Sequence, residues 1–262
     1  MLSVDDLHHV YAAGQVVTQS VSFDVHAGEI VSIVGPSGCG KTTLLKALAG
    51  LLAPTAGVIR FQGEVIRGVP EGFAMVFQEY GRSLLPWNTV HDNVELPLRY
   101  RPLSAAERGE RVKHSLAAVG LSGLGERYPW QLSGGMQQRV AIARAIACQP
   151  KLLLMDEPFA SVDAQTRADL EDLVATVRDQ FQITIVVVTH DIDEAVYLSD
   201  RIVVLSKSPS TVLDIVATGL PRPRDQITTK ALPQFVEKRS AIAHLIRRPV
   251  IAAASDGACT SE

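Results

Sequence analysis

Three cysteines in 262 residues, Cys39, Cys148 and Cys259, are too few and too far apart for a disulfide framework, and their spacing builds no zinc site. Such usage fits a reducing compartment. Long apolar runs are missing too. The stretch Ile183 to Val188, broken only by Thr184, falls far short of the roughly 20 residues that a membrane-spanning helix needs. At the start, MLSVDDLHHV carries no basic segment followed by an apolar one, so no signal peptide is expected. Charge of one sign is not in excess. The net charge of −3 gives no electrostatic basis for a nucleic-acid partner. Internal repeats and low-complexity tracts are absent. What remains, at 47% hydrophobic and 20% charged residues, is the composition of a soluble globular chain with one sizeable core, expected in the cytoplasm.

The first third reads as β-rich. Val21, Phe23 and Val25 alternate with polar residues, and Gly28-Glu29 turns into the apolar run Ile30 to Val34. A glycine-rich turn follows, then a helical pattern over Thr42 to Ala49, stopped by Gly50 and Pro54. Val58 to Phe61 and Phe73 to Phe77 read as further strands. From about Tyr80 to Ile146 helical periodicity takes over, notably in Ala105 to Val119 and Gly135 to Ala147. Strands return at Leu152 to Met155 and Ile183 to Val188, with a helix over Ala164 to Asp179 between them. A last hairpin, Ile202 to Leu205 and Val212 to Val216, turns through Ser208-Pro209-Ser210. Strands alternating with helices predict a mostly parallel α/β sheet, with the helical stretch as an insertion.

Gly35-Pro36-Ser37-Gly38-Cys39-Gly40-Lys41-Thr42 matches G-x-x-x-x-G-K-[ST], between an apolar strand and a helix as a phosphate-binding loop requires. Its glycines let backbone N–H groups turn inward around phosphates, and the helix N-terminus adds its positive dipole. Lys41 is placed to reach the β- and γ-phosphates, and the Thr42 hydroxyl to ligate Mg²⁺, with Thr43 completing the nucleotide-binding set. Leu152 to Glu157 is an apolar strand ending in two carboxylates. Asp156 can hold the Mg²⁺ through water. Glu157 can take a proton from an attacking water.

Leu132-Ser133-Gly134-Gly135-Met136-Gln137-Gln138-Arg139 resembles the signature motif of ABC-type ATPases. Physically it is a second anion site, a Ser-Gly-Gly turn opening a helix; read structurally, it is an N-cap followed by glycines. Gln78 resembles the family's Q-loop glutamine, which touches Mg²⁺. Ser161-Val162-Asp163 holds the D-loop place, His190 matches the switch histidine, and Tyr11 resembles the aromatic that stacks on adenine. The likeness runs from about Val4 to Thr218. In Leu84-Leu85-Pro86-Trp87-Asn88-Thr89-Val90, Pro129 to Met136 and Thr189-His190-Asp191-Ile192-Asp193-Glu194-Ala195 it is similar to the nitrate/sulfonate/taurine group of importer ATPases. Met136 stands where the general signature has glutamine, and Val162-Asp163 where Ala-Leu-Asp is commoner.

That resemblance implies a RecA-like P-loop α/β core with an N-terminal antiparallel β subdomain and an inserted helical subdomain at about 80–147. Residues 1–220 would form the ATPase domain, and 221–262 a partly helical tail. It implies ATP and Mg²⁺ as cofactors, Tyr11, residues 35–43 and Ser133, Gly134 and Gly135 as nucleotide contacts, Thr42, Gln78 and Asp156 at the metal, and Glu157, His190 and Gln78 in catalysis. The partners implied are a second copy in a head-to-tail ATP sandwich, transmembrane permease subunits at the cytoplasmic face, and indirectly a periplasmic or surface solute-binding protein. A groove beside Gln78 and the apolar Leu84-Leu85-Pro86-Trp87 is the expected docking place. Two other readings compete: a soluble ABC-type ATPase of DNA repair or assembly, and a P-loop small-molecule kinase. The first would need long heptad coiled coils, which are missing here; the second has no use for Ser133-Gly134-Gly135. In the tail, Leu232, Phe235, Val236, Ile242 and Ile246 have roughly helical spacing, ending in Arg247-Arg248. Packing against the core or the twin chain is expected of this stripe, rather than a membrane-surface helix. The residues after Pro249 are expected to fray.

Overall fold

The computed structural model describes residues 1–12 and 14–247, so Cys259, Arg248 and the tail expected to fray lie outside the described residues. The chain opens with strands β1 (Leu2–Val10), β2 (Val16–Val25) and β3 (Ile30–Val34), then helix α1 (Lys41–Leu48). Strands β4 (Ala56–Phe61), β5 (Glu64–Val65) and β6 (Phe73–Val76) follow. The run to β7 (Leu152–Asp156) is helical, with α2 (Tyr80–Ser83), α3 (Val90–Glu95), α4 (Ala105–Ala118) and α5 (Gly134–Ala147). Last come α6 (Ala164–Phe181), β8 (Thr184–Thr189), α7 (Ile192–Leu198), β9 (Arg201–Leu205), β10 (Val212–Ala217) and α8 (Pro233–Arg247).

Two sheets form. One is antiparallel, in the order β2-β1-β4-β5. The other runs β10-β9-β3-β8-β7-β6, parallel except for β10, which turns back antiparallel on β9. Its central strands read IVSIV, LLLMD and TIVVVT because parallel strands are covered on both faces and have no polar side to show. Alternate residues serve opposite cores. Val31, Ile33, Leu152, Leu154, Val186 and Val188 point to the side of α1 and the antiparallel sheet. Ile30, Leu153, Met155, Ile185 and Val187 point to the helices on the other side. A one-residue slip in any of these strands would exchange the two sets, so the register that places Asp156 and Glu157 is tightly specified.

The helical stretch shares the second of these cores: Val90, Val94, Leu98, Val112, Leu116 and Val140 are continuous with the sheet residues through α5. Helix α5 packs on α2, α3 and α4 and also touches β6 and α6. In the tail, Phe235 and Ile242 of α8 are buried in the same core, with Leu232 and Ile246 partly buried against it and Val236 exposed. The apolar stripe is therefore used inside the molecule. Leu84 differs from expectation: it is buried in the core, so only Pro86, Trp87 and part of Leu85 remain at the surface of the proposed docking segment. Its place just after α2, against α5, makes it a core residue. No helix among the described residues is long and apolar enough to cross a membrane.

Candidate functional site

Helix N-termini in this chain are mostly closed by their own side chains. Thr89, Ser104, Ser133, Asp163 and Asp191 each accept a backbone N–H of the helix they open, at α3, α4, α5, α6 and α7. Helix α1 is different. Its N-cap is Gly40, with no side-chain cap, so the N–H groups of its first turn are left for an external acceptor. Glycine is required there twice over: Gly40 sits at φ 97°, and a Cβ on it would lie 2.4 Å from Cγ1 of Val17. Lys41 is buried and folds back across the loop, donating to the carbonyl oxygens of Gly35 at 2.9 Å and Pro36 at 3.2 Å. The loop opens into a cleft of about 350 Å³ lined by Tyr11, Gln15, Val17, Ser37, Gly38, Gly40, Lys41, Thr42, Thr43 and Glu157. The Tyr11 ring, partly exposed, is held by a hydrogen bond between its hydroxyl and that of Thr43, 3.0 Å apart, and by edge-on contact with His9.

Strand β7 delivers the carboxylates. Asp156 still belongs to the ladder, opposite Val188, and is 5% exposed. Its Oδ1 accepts from the Thr42 hydroxyl at 3.3 Å. Burial pushes the Asp156 carboxyl above the usual range, opposed by the Thr42 hydrogen bond and then raised further by the Glu157 charge. A cation beside it would relieve that cost. Thr42 hydroxyl, Asp156 carboxylate and the Gln78 amide oxygen offer hard oxygen donors, a set that suits Mg²⁺ retaining several waters. Glu157 leaves the strand at φ 41°, a left-handed conformation uncommon outside glycine, which turns its side chain toward the cleft. Its Oε2 accepts from Nε2 of Gln78 at 3.1 Å and lies 3.3 Å from Nδ1 of His190. Gln78 from the end of β6, Glu157 from β7 and His190 from β8 thus meet at one carboxylate.

Ser133, Gly134 and Gly135 take no part in the lining of that cleft. The Ser133 hydroxyl caps α5 by accepting from the Met136 N–H at 3.3 Å, and its own proton can still be donated. Gly135 abuts the start of α6, where a Cβ would come 2.4 Å from Cγ2 of Thr166. Gln15 and Gln138 were not legible as site residues. Gln15 lines the cleft from a loop without a motif. Gln138, fully buried, donates to the Pro158 carbonyl at 2.8 Å and so ties α5 to the turn after Glu157. A polar residue inside the signature helix was the available signal.

The model of the ABC transporter family matches residues 18–160. The nitrate transport protein NasD of Klebsiella oxytoca is 44% identical over 232 residues, 87% of this chain and 88% of that protein. The bicarbonate transport ATP-binding protein CmpC of Synechocystis sp. is 41% identical over 254 residues, 94% of this chain but 38% of the longer relative. Among solved structures, a dimeric ATP-binding cassette in a post-hydrolysis state bound to ADP and phosphate is similar at TM-score 0.72 and 33% identity, covering 83% of this chain and 98% of that one.

Proposed function

The chain belongs to the ABC transporter family of ATPases, and from that premise we propose that it powers the import of a small anion through separate membrane subunits. One observation carries this reading: the chain has two glycine-containing turns that each open a helix, at residues 35–42 and 133–135, and only the first lines the cleft that holds Lys41 and Glu157. The Ser133 turn is then free to serve ATP held by a second copy, so two chains would clamp two ATP molecules head-to-tail. Residues 1–220 would act as the ATPase unit, with 80–147 as its helical arm and 221–262 as the tail. Nitrate and bicarbonate, named for the two relatives, are both small planar oxyanions of single charge; that class, with sulfonates beside it, is the proposed cargo. Delivery would come from a solute-binding protein outside the membrane, and the ATPase would sit at the cytoplasmic face.

In the cleft, Tyr11 would stack on adenine, while the loop N–H groups and Lys41 neutralise the β- and γ-phosphates. Mg²⁺, held by Thr42, Gln78 and Asp156, would supply charge neutralisation between those phosphates. Glu157 would take a proton from a water whose oxygen attacks the γ-phosphorus, breaking the β–γ bridge and leaving ADP and phosphate. His190 and Gln78, paired to the same carboxylate, would orient it and contact the γ-phosphate end.

The test is reconstitution. The chain, purified with the integral membrane subunits that accompany it and placed in vesicles, should drive ATP-dependent accumulation of labelled nitrate, bicarbonate or taurine. A chain that hydrolyses ATP but brings no membrane subunit with it, and supports no uptake of any of the three, would overturn the importer reading.

A further inference from the structure

Glu194 is buried on α7, 4% exposed, and its Oε1 has no hydrogen-bond partner. Leaving such an atom unpaired is costly, so its surroundings need an explanation. Nε of Arg167, from α6, is likewise buried and unpartnered, although the same guanidinium pairs through Nη1 with Asp191 at 3.1 Å. Both side chains line one pocket of about 40 Å³, together with Thr189, Asp191, Glu157 and His190. A buried water needs roughly 10–15 Å³ and two to four polar partners. The pocket offers a donor at Arg167, an acceptor at Glu194, and on its outer wall the two groups assigned to hydrolysis. Glu157 lines both this pocket and the nucleotide cleft, so it is the partition between them.

We propose that Glu194 is a positioning residue for ATP hydrolysis: with Arg167 it holds a buried water that bridges to Glu157 and His190 and fixes their orientation. Glu194 faces Arg167 and Glu171 of α6, Asp191 at the cap of its own helix and Thr189 at the end of β8, while Lys230, ahead of α8, is drawn off to Glu171 at 3.3 Å. Burial first, then the charges of Glu171 and Asp191, push the carboxyl well above the usual glutamate range. That shift favours the protonated form, which can donate one hydrogen bond and accept another.

The inference rests on the assignment of Glu157 and His190 to hydrolysis, and the experiment separates the two. Full-length wild type, Glu194→Gln, Glu194→Met and Glu157→Gln are compared by phosphate release against ATP concentration, by nucleotide affinity and by melting temperature. Methionine matches glutamate in length but offers no comparable donor or acceptor, so Glu194→Met is expected to lose about tenfold in kcat, the loss of one well-placed bridging hydrogen bond, with KM and nucleotide affinity unchanged and Tm no lower. Glutamine keeps a donor and an acceptor, so Glu194→Gln should keep at least about half of the wild-type kcat. Wild-type kcat in Glu194→Met, equal loss in Glu194→Gln, or a kcat that falls in step with Tm and affinity would each overturn the inference. If Glu157→Gln hydrolyses ATP normally, the site assignment fails and the inference with it. An inactive Glu157→Gln beside a fully active Glu194→Met removes the inference alone.

Discussion

Replacing Glu157 by glutamine changes one property of the site and leaves its shape. Oε2 of Glu157 accepts from Gln78 and faces His190 at 3.1 and 3.3 Å, and a glutamine can present its amide oxygen to the same donors by a flip of the terminal group. Charge and basicity are lost. If Glu157 is the general base, hydrolysis should fall by about 10²–10⁴-fold, or roughly 2.7–5.4 kcal/mol in the barrier. Nucleotide binding should not fall with it, because Lys41, Thr42 and the free N–H groups of α1 are untouched. It should even tighten slightly: the Glu157 charge helps to hold the Asp156 carboxyl above its usual range, and removing it favours the ionised Asp156 that a cation needs. Phosphate release measured beside the affinity for a fluorescent nucleotide separates the two effects. With cleavage blocked, ATP would go on bridging two chains, so size-exclusion chromatography should show an ATP-dependent dimer that disperses when nucleotide is removed. Hydrolysis within tenfold of wild type would take the base role from Glu157. Loss of binding together with hydrolysis would mean that the substitution disturbed the fold of the turn at φ 41° rather than the chemistry.

Other outcomes follow from the same geometry. Ser133→Arg should leave ATP binding intact but prevent closure on a second copy, and mixed with Lys41→Ala chains it should give hydrolysis that departs from the average of the two parents; simple averaging would mean that each chain's signature turn serves its own ATP. Phe235→Ala, which empties a buried site under α8, should lower unfolding stability by about 3–5 kcal/mol in urea titration while nucleotide affinity persists; a loss below 1 kcal/mol would mean that α8 does not dock on the core. Glu194 binds its proton more tightly folded than unfolded, so wild type should lose stability as pH rises from the ordinary glutamate range toward the raised folded value, whereas Glu194→Gln should not. The variant's Tm advantage should therefore grow as pH rises above the ordinary glutamate range, and a pH-independent difference would contradict a raised Glu194.

How much was legible in the sequence depended on how local the requirement is. The phosphate loop could be read because a glycine at a left-handed turn, a lysine and a hydroxyl must follow one another directly for the chemistry to work, and Gly40, Lys41 and Thr42 do so. The strand ends were legible to within a residue or so, since apolar runs buried on both faces stop where the sheet stops. Asp156, expected at the C-terminal end of its strand, is the last member of the ladder, paired with Val188; its near-complete burial is what the sequence does not show. Leu84 belongs to the apolar segment beside the expected docking groove, but it turns inward to the core while Pro86 and Trp87 turn out. Local pattern does not distinguish those.

Glu194 marks the deeper limit. It sits four residues after His190 in a motif that could be quoted whole, yet an acidic residue in the first turn of a helix is expected near the helix's positive end, exposed and ionised. What reverses that expectation is tertiary. Helix α7 packs under β3 and β8, α6 brings Arg167 and Glu171 from the other side, and α8 closes the outer face, so the carboxyl is cut off from solvent by elements distant in sequence. Asp191, at the same N-terminus, already accepts the N–H groups of Asp193 and Glu194. Glu194 is thus not needed as a cap, which leaves its carboxyl to the pocket behind Glu157.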